Sequence, residues 1–174
     1  MKKASLMKLA VAMFLGLMMP VLASCGDGDK KSDRFDTTPA GAKAQYYVEV
    51  DPTTFEGFTV EVEYTDNSGR MAKQALTSSN NVFEKGVVVN SLPITIEMNV
   101  VATPKDNSSL TKDKYDCLFT YGLGAAPVNA NGEVVGNVSV SPEFNLSSGI
   151  SVERMKTITR SKSVAFDKNG NITR

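Results

Sequence analysis

Beyond residue 43, apolar and polar side chains alternate along the chain with a period of two. Tyr46, Val48 and Val50 fall on one side of an extended segment and Tyr47, Glu49 and Asp51 on the other, and Pro52 ends the run. Phe58, Val60, Val62 and Tyr64 alternate with Thr59, Glu61, Glu63 and Thr65, ahead of the turn cluster Asp66-Asn67-Ser68-Gly69. Met71 to Leu76 reads as the returning strand, because six residues are too few for a helix that holds by itself. Further strands are predicted at Val82 to Val89, through Ile94, Ile96, Met98 and Val100, and at Tyr115 to Tyr121. Asn131-Gly132 divides Pro127-Val128 from a Val134 to Val140 segment, and Asn169-Gly170 divides Val164-Ala165-Phe166 from Ile172, both as hairpin signals. No segment carries a helical period of any length. Short alternating strands with turn residues at this spacing predict an all-β fold, a single antiparallel β-sandwich, with a closed barrel as the alternative. A parallel sheet would need crossover helices.

The N-terminus breaks this pattern. Lys2, Lys3 and Lys8 precede an apolar run from Leu9 through Met19, and the run closes on small residues, which is the order of a secretory signal. The uninterrupted run is shorter than the roughly 20 residues of a spanning helix, and Pro20 interrupts its end. Leu22-Ala23-Ser24-Cys25 resembles the bacterial lipobox, a small residue directly before the cysteine that receives lipid. The resemblance implies cleavage before Cys25, a diacylglycerol on its thiol and an acylated amine. Several acyl chains anchor stably where one binds only reversibly.

Residues 1–24 are therefore expected to be signal peptide and residues 25–42 a lipidated tether, since Gly26 to Asp33 is charged, glycine-bearing and poor in apolar surface. Residues 43–174 remain for one β domain, enough for a real core. The stretch after Cys25 also resembles the leader of surface lipoproteins of the Bacteroidetes, though its acids alternate with glycine and lysines follow. The strand pattern is similar to the small immunoglobulin-like or fibronectin-III-like lipoprotein domains of those bacteria, as architecture only. The inter-sheet cysteine pair and core tryptophan are absent.

Composition removes several kinds of chemistry. The full chain balances 19 Lys and Arg against 19 Asp and Glu; removing the three signal lysines leaves 16 against 19, a net charge of about −3. With no basic stripe, nucleic acid is not an expected partner. The chain contains no histidine, which removes the usual base of a Cys or Ser nucleophile and a common zinc or iron ligand. Of its two cysteines, Cys25 is expected to carry lipid, and Cys117, in an alternating strand, reads as a buried small apolar residue. Glu61 and Glu63 are the nearest pair for carboxylate chemistry such as glycoside hydrolysis, but they lie on a wholly polar strand face that solvent alone explains. Asp167-Lys168-Asn169-Gly170-Asn171 begins like a calcium loop, yet its glycine is in the fourth place and no bidentate glutamate follows, so a turn explains it better. Among aromatics outside the apolar faces, Tyr47 points outward and Phe35 and Phe55 lie in tether and loop; each reads as a packing residue.

The sequence thus predicts no catalytic residue, metal or cofactor. The expected function is a non-enzymatic binding module held on the bacterial outer membrane by lipid on Cys25. Its partner would be a glycan or an envelope protein met through loops or a sheet edge. The alternative is a structural subunit of a surface fibre or envelope complex, exchanging its final segment from Val164 to Thr173 between molecules.

Overall fold

A computed structural model of the protein describes residues 36–173, and the signal segment, Cys25 and Phe35 lie outside them. The described chain forms nine strands and one helical turn: β1 (Gly41–Val50), α1 (Thr54–Gly57), β2 (Phe58–Thr65), β3 (Met71–Leu76), β4 (Val82–Val89), β5 (Ile94–Pro104), β6 (Lys114–Val128), β7 (Ser139–Ser151), β8 (Ile158–Phe166) and β9 (Ile172–Thr173). They make two antiparallel sheets, one in the order β4-β1-β6-β7 and the other β3-β2-β5-β8-β9, packed as a sandwich and not closed into a barrel.

Alternation builds the core. Tyr46, Val48 and Val50 of β1 and Cys117, Phe119 and Tyr121 of β6 turn inward from one sheet; Val60, Val62 and Tyr64 of β2 and Ile96, Met98 and Val100 of β5 turn inward from the other. Each such side chain, once buried, contributes roughly 1.5–3 kcal/mol. The rings of Tyr46 and Tyr64 lie 5.5 Å apart, and those of Tyr64 and Phe83 5.1 Å, a tilted aromatic cluster joining the sheets. The buried Tyr46 hydroxyl donates to the Thr65 carbonyl at 2.8 Å. The helical turn α1 is pinned to β6 by Thr54, whose buried hydroxyl accepts from the Leu118 amide at 2.9 Å and donates to its carbonyl at 3.1 Å.

Three hairpins turn on the same device. In Asp66–Arg70, Asn129–Glu133 and Asp167–Asn171 the first side chain accepts, through Oδ1, the amides two and four residues on, at 2.8–3.1 Å. The fourth residue is in each case a glycine with positive φ, at 76°, 80° and 74°. The Asp167 loop, weighed from its sequence as a calcium loop, is the third of these turns.

Two predicted boundaries move. The Val134 to Val140 segment is not one strand: Val134 makes an isolated bridge to Val128, and β7 begins at Ser139. β7 and the first half of β8, neither legible as apolar alternation, close one side of the sandwich.

Candidate binding surface

The residues weighed from the sequence for chemistry are dispersed. Glu61 and Glu63 stand on the outer face of the second sheet, where Lys73 from β3 lies between them, at 3.1 and 2.6 Å. Hydrogen bonds from Lys73 and Asn99 hold the Glu63 carboxyl below its usual range, the reverse of what a general acid needs. Cys117 is fully buried, and burial pushes its thiol up to about 12. Tyr47 does lie on the outer face, half-buried, with its hydroxyl donating to Glu49 at 2.9 Å. Phe55 packs against the core from α1. Among the described residues no group of acids and cysteines could hold a metal ion, and no helix is long and apolar enough to cross a membrane.

The distinctive surface is the side framed by β7 and β8. Among the described residues, β7 pairs with β6 on one side only and is an edge strand over its thirteen residues. β9 covers β8 only at Ala165 and Phe166, which leaves Ile158 to Val164 as a second open edge on the same side. β7 is built inside out. Its register with β6 sets Glu143 opposite Tyr121, Asn145 opposite Phe119 and Ser147 opposite Cys117, so its polar residues follow the inward-facing ones of β6. Two of its large apolar residues point to solvent, Phe144 at 46 % and Leu146 at 65 % exposure, while Ile150 packs against the core.

β8 mirrors this. Its inward positions carry Ile158, Arg160 and Lys162 before Val164 and Phe166, and they pair in register with Ala102, Val100, Met98, Ile96 and Ile94 of β5. The core therefore stops short of this side, where Lys162 reaches across from β8 and polar contacts tie β7 to β6. Lys162, only 15 % exposed, ion-pairs with Glu143 and lies 5.9 Å from the centre of the Tyr121 ring. Tyr121 donates to Glu143 at 2.7 Å, and burial, aided by that carboxylate, raises its hydroxyl to about 12. Asn145, buried, donates to the Cys117 carbonyl at 2.7 Å.

Toward the β7–β8 connection this polar seam opens into a cleft of about 520 Å³ that contains Arg154, Lys156 and Arg160. Arg160 stands close enough to oppose, by its charge, the effect of burial on both Cys117 and Tyr121. The inside-out pattern of β7, serine, glutamate, asparagine and serine at every second place, was available in the sequence as alternation of reversed sense. No known family, characterised protein or solved structure matches the chain.

Proposed function

We propose that the protein is a lipid-anchored, non-enzymatic binding module of the bacterial outer membrane that meets its partner through the open β7–β8 side. The lipobox resemblance at Leu22 to Cys25 supports the anchor. The observation that carries the binding reading is the edge strand β7, unpaired on its outer side and displaying Phe144 and Leu146 to solvent. An edge that can accept a partner's backbone, flanked by apolar side chains, is a recurring means of recognition.

Two experiments test the halves of this reading. Membrane fractionation of cells, compared with cells carrying Cys25→Ala, should show a membrane-held protein only when Cys25 is present; fractionation unchanged by the substitution would sink the anchor. Phe144→Ser with Leu146→Ser should leave the melting temperature nearly unchanged, since exposed sites shift stability by no more than about 0.5 kcal/mol. The same pair should abolish capture of envelope or external material by cells displaying the protein. Undiminished capture would remove this face from the reading.

A second reading, a subunit of a surface fibre, is favoured by one feature: β9 covers only two residues of β8, so a strand donated by another copy could pair along Ile158 to Val164. Of the segment from Val164 to Thr173, Val164 and Phe166 are buried in the chain's own core, and β9 is the separable part. Ladders of oligomers at high concentration, lost on deletion of the residues after Asp167, would favour it.

A further inference from the structure

The cleft at the β7–β8 connection is cationic and has no acid of its own. Arg154 sits in a short 3₁₀ turn, Lys156 follows it, and Arg160 occupies an inward position of β8 opposite Val100, where the alternation of the sandwich calls for an apolar side chain. None of the three has a carboxylate partner among the described residues, whereas the inward Lys162 beside them is answered by Glu143. Three cations without a salt-bridge partner among the described residues, within seven residues on a concave surface and with only the Arg160 guanidinium donating to a backbone carbonyl, that of Thr159, suit a ligand that brings its own negative charge.

The rest of the lining narrows the ligand. Ser147 and Thr157 bring polar side chains to the lining, and Ile150 and Ile158 supply apolar patches between them. Hydroxyl groups beside small apolar surfaces match the alternating hydroxyl and C–H faces of a sugar ring, and about 520 Å³ is within the range of small-ligand sites. The cleft also lies away from the end where the chain leaves for its tether. β1 begins at Gly41, paired with Val128, so the chain leaves for its tether at that end of β6; Ser147 pairs with Cys117 toward the other end. At about 3.3 Å per residue, that stretch of β6 is roughly 35 Å long, and it sets the cleft away from the tether.

Resting on the reading of the protein as an envelope binding module, we infer that this cleft binds the acidic sugar units of an anionic polysaccharide. Arg154, Lys156 and Arg160 meet the carboxylate or sulfate, and the Ser147 and Thr157 hydroxyls meet the ring.

The test is affinity electrophoresis of the purified full-length lipoprotein in non-ionic detergent, through gels containing polygalacturonate, dextran sulfate, neutral dextran or polyglutamate. Retardation by polygalacturonate or dextran sulfate and not by dextran is expected, and which of the two retards more strongly separates carboxylate from sulfate recognition. Arg154→Gln and Arg160→Gln should each weaken binding tenfold or more, while Lys168→Gln, in the distant Asp167 turn, should not. Arg160 is exposed and without an acidic partner among the described residues, so its variant should keep the parental melting temperature. Absence of retardation by both acidic polymers overturns the inference, as does equal retardation by polyglutamate, which would show charge alone at work. If the polymers fail while displaying cells still capture material through Phe144 and Leu146, the acidic-sugar assignment falls and the binding module stands.

Discussion

Gly132 shows how much a single position can carry. Its φ is 80°, and a Cβ placed there would meet nothing within 4 Å, so any cost of substitution comes from the backbone and not from a clash. Gly132→Val should destabilise the protein by about 1–2 kcal/mol in urea unfolding, the cost of forcing a branched residue into the left-handed region. Gly170, with φ of 74°, has in addition the Cβ of Pro39 2.7 Å from where its own would stand, so Gly170→Val should cost more than Gly132→Val. The same turns set an acid response. Asp66 is held below the usual carboxylate range first by the Ser68 hydroxyl and then by backbone amides, and Asp167 first by the Asn171 side chain. A carboxyl whose folded pKa is depressed stabilises fully above its unfolded value of about 4, and that contribution is lost as pH falls through the folded value. Melting temperatures followed from neutral pH downward should fall below about pH 4, and Asp66→Asn with Asp167→Asn should flatten that fall. Asparagine keeps the accepting Oδ1, as Asn129 does in its own turn. The glycines and turn clusters were legible in the sequence. The five-residue loop length was not, because Asn131-Gly132 and Asn169-Gly170 look like two-residue turns until the capping Asn129 and Asp167 are seen to set the register.

At the scale of the element, legibility followed burial. β1, β2, β5 and the first half of β6 face an apolar core with every second residue, as β4 does except at Lys85, and their strands could be read directly from Tyr46, Val60, Phe83, Ile96 or Cys117. The far half of β6 has no such alternation, since Tyr121 to Val128 is buried at every position. β7 and the start of β8 escaped because their inward positions hold Glu143, Asn145, Ser147, Arg160 and Lys162, which patterning assigns to solvent. Local patterning fails where a structure serves something besides its own core, and these two strands frame the proposed site. The helical turn α1 was illegible for another reason: four residues have no period, and Thr54 holds them by hydrogen bonds to Leu118, 64 residues away. Thr54→Val keeps the shape and removes both bonds, leaving the half-buried Leu118 amide without its Thr54 partner. It should cost about 1–3 kcal/mol, measured by chemical denaturation, and an unchanged midpoint would show that α1 is not tied to β6 through this hydroxyl.

For the whole molecule, the consequence is a sandwich whose two sides differ in cohesion. On the β1–β4 side, Tyr46, Tyr64 and Phe83 fuse the sheets through aromatic contacts; on the β7–β8 side Lys162 spans the gap, ion-paired with Glu143 and near the Tyr121 ring. Polar bridges exposed to water contribute less than apolar burial, so this side should be the first to open. Cys117 can report on that, because it lies on β6 beside Ser147 of β7 and is the only thiol left in a Cys25→Ala chain. Fully buried, with its thiol raised to about 12, it should resist a disulfide reagent at mildly alkaline pH in the native protein. If β7 separates from β8 before global unfolding, labelling in increasing urea should precede the loss of strand signal in circular dichroism. Glu143→Gln, which weakens the bridge to Lys162, should then widen the interval between the two transitions. Coincident transitions in both proteins would mean that β7 is held as firmly as the aromatic side, and that a partner strand must add to the existing edge without displacing it.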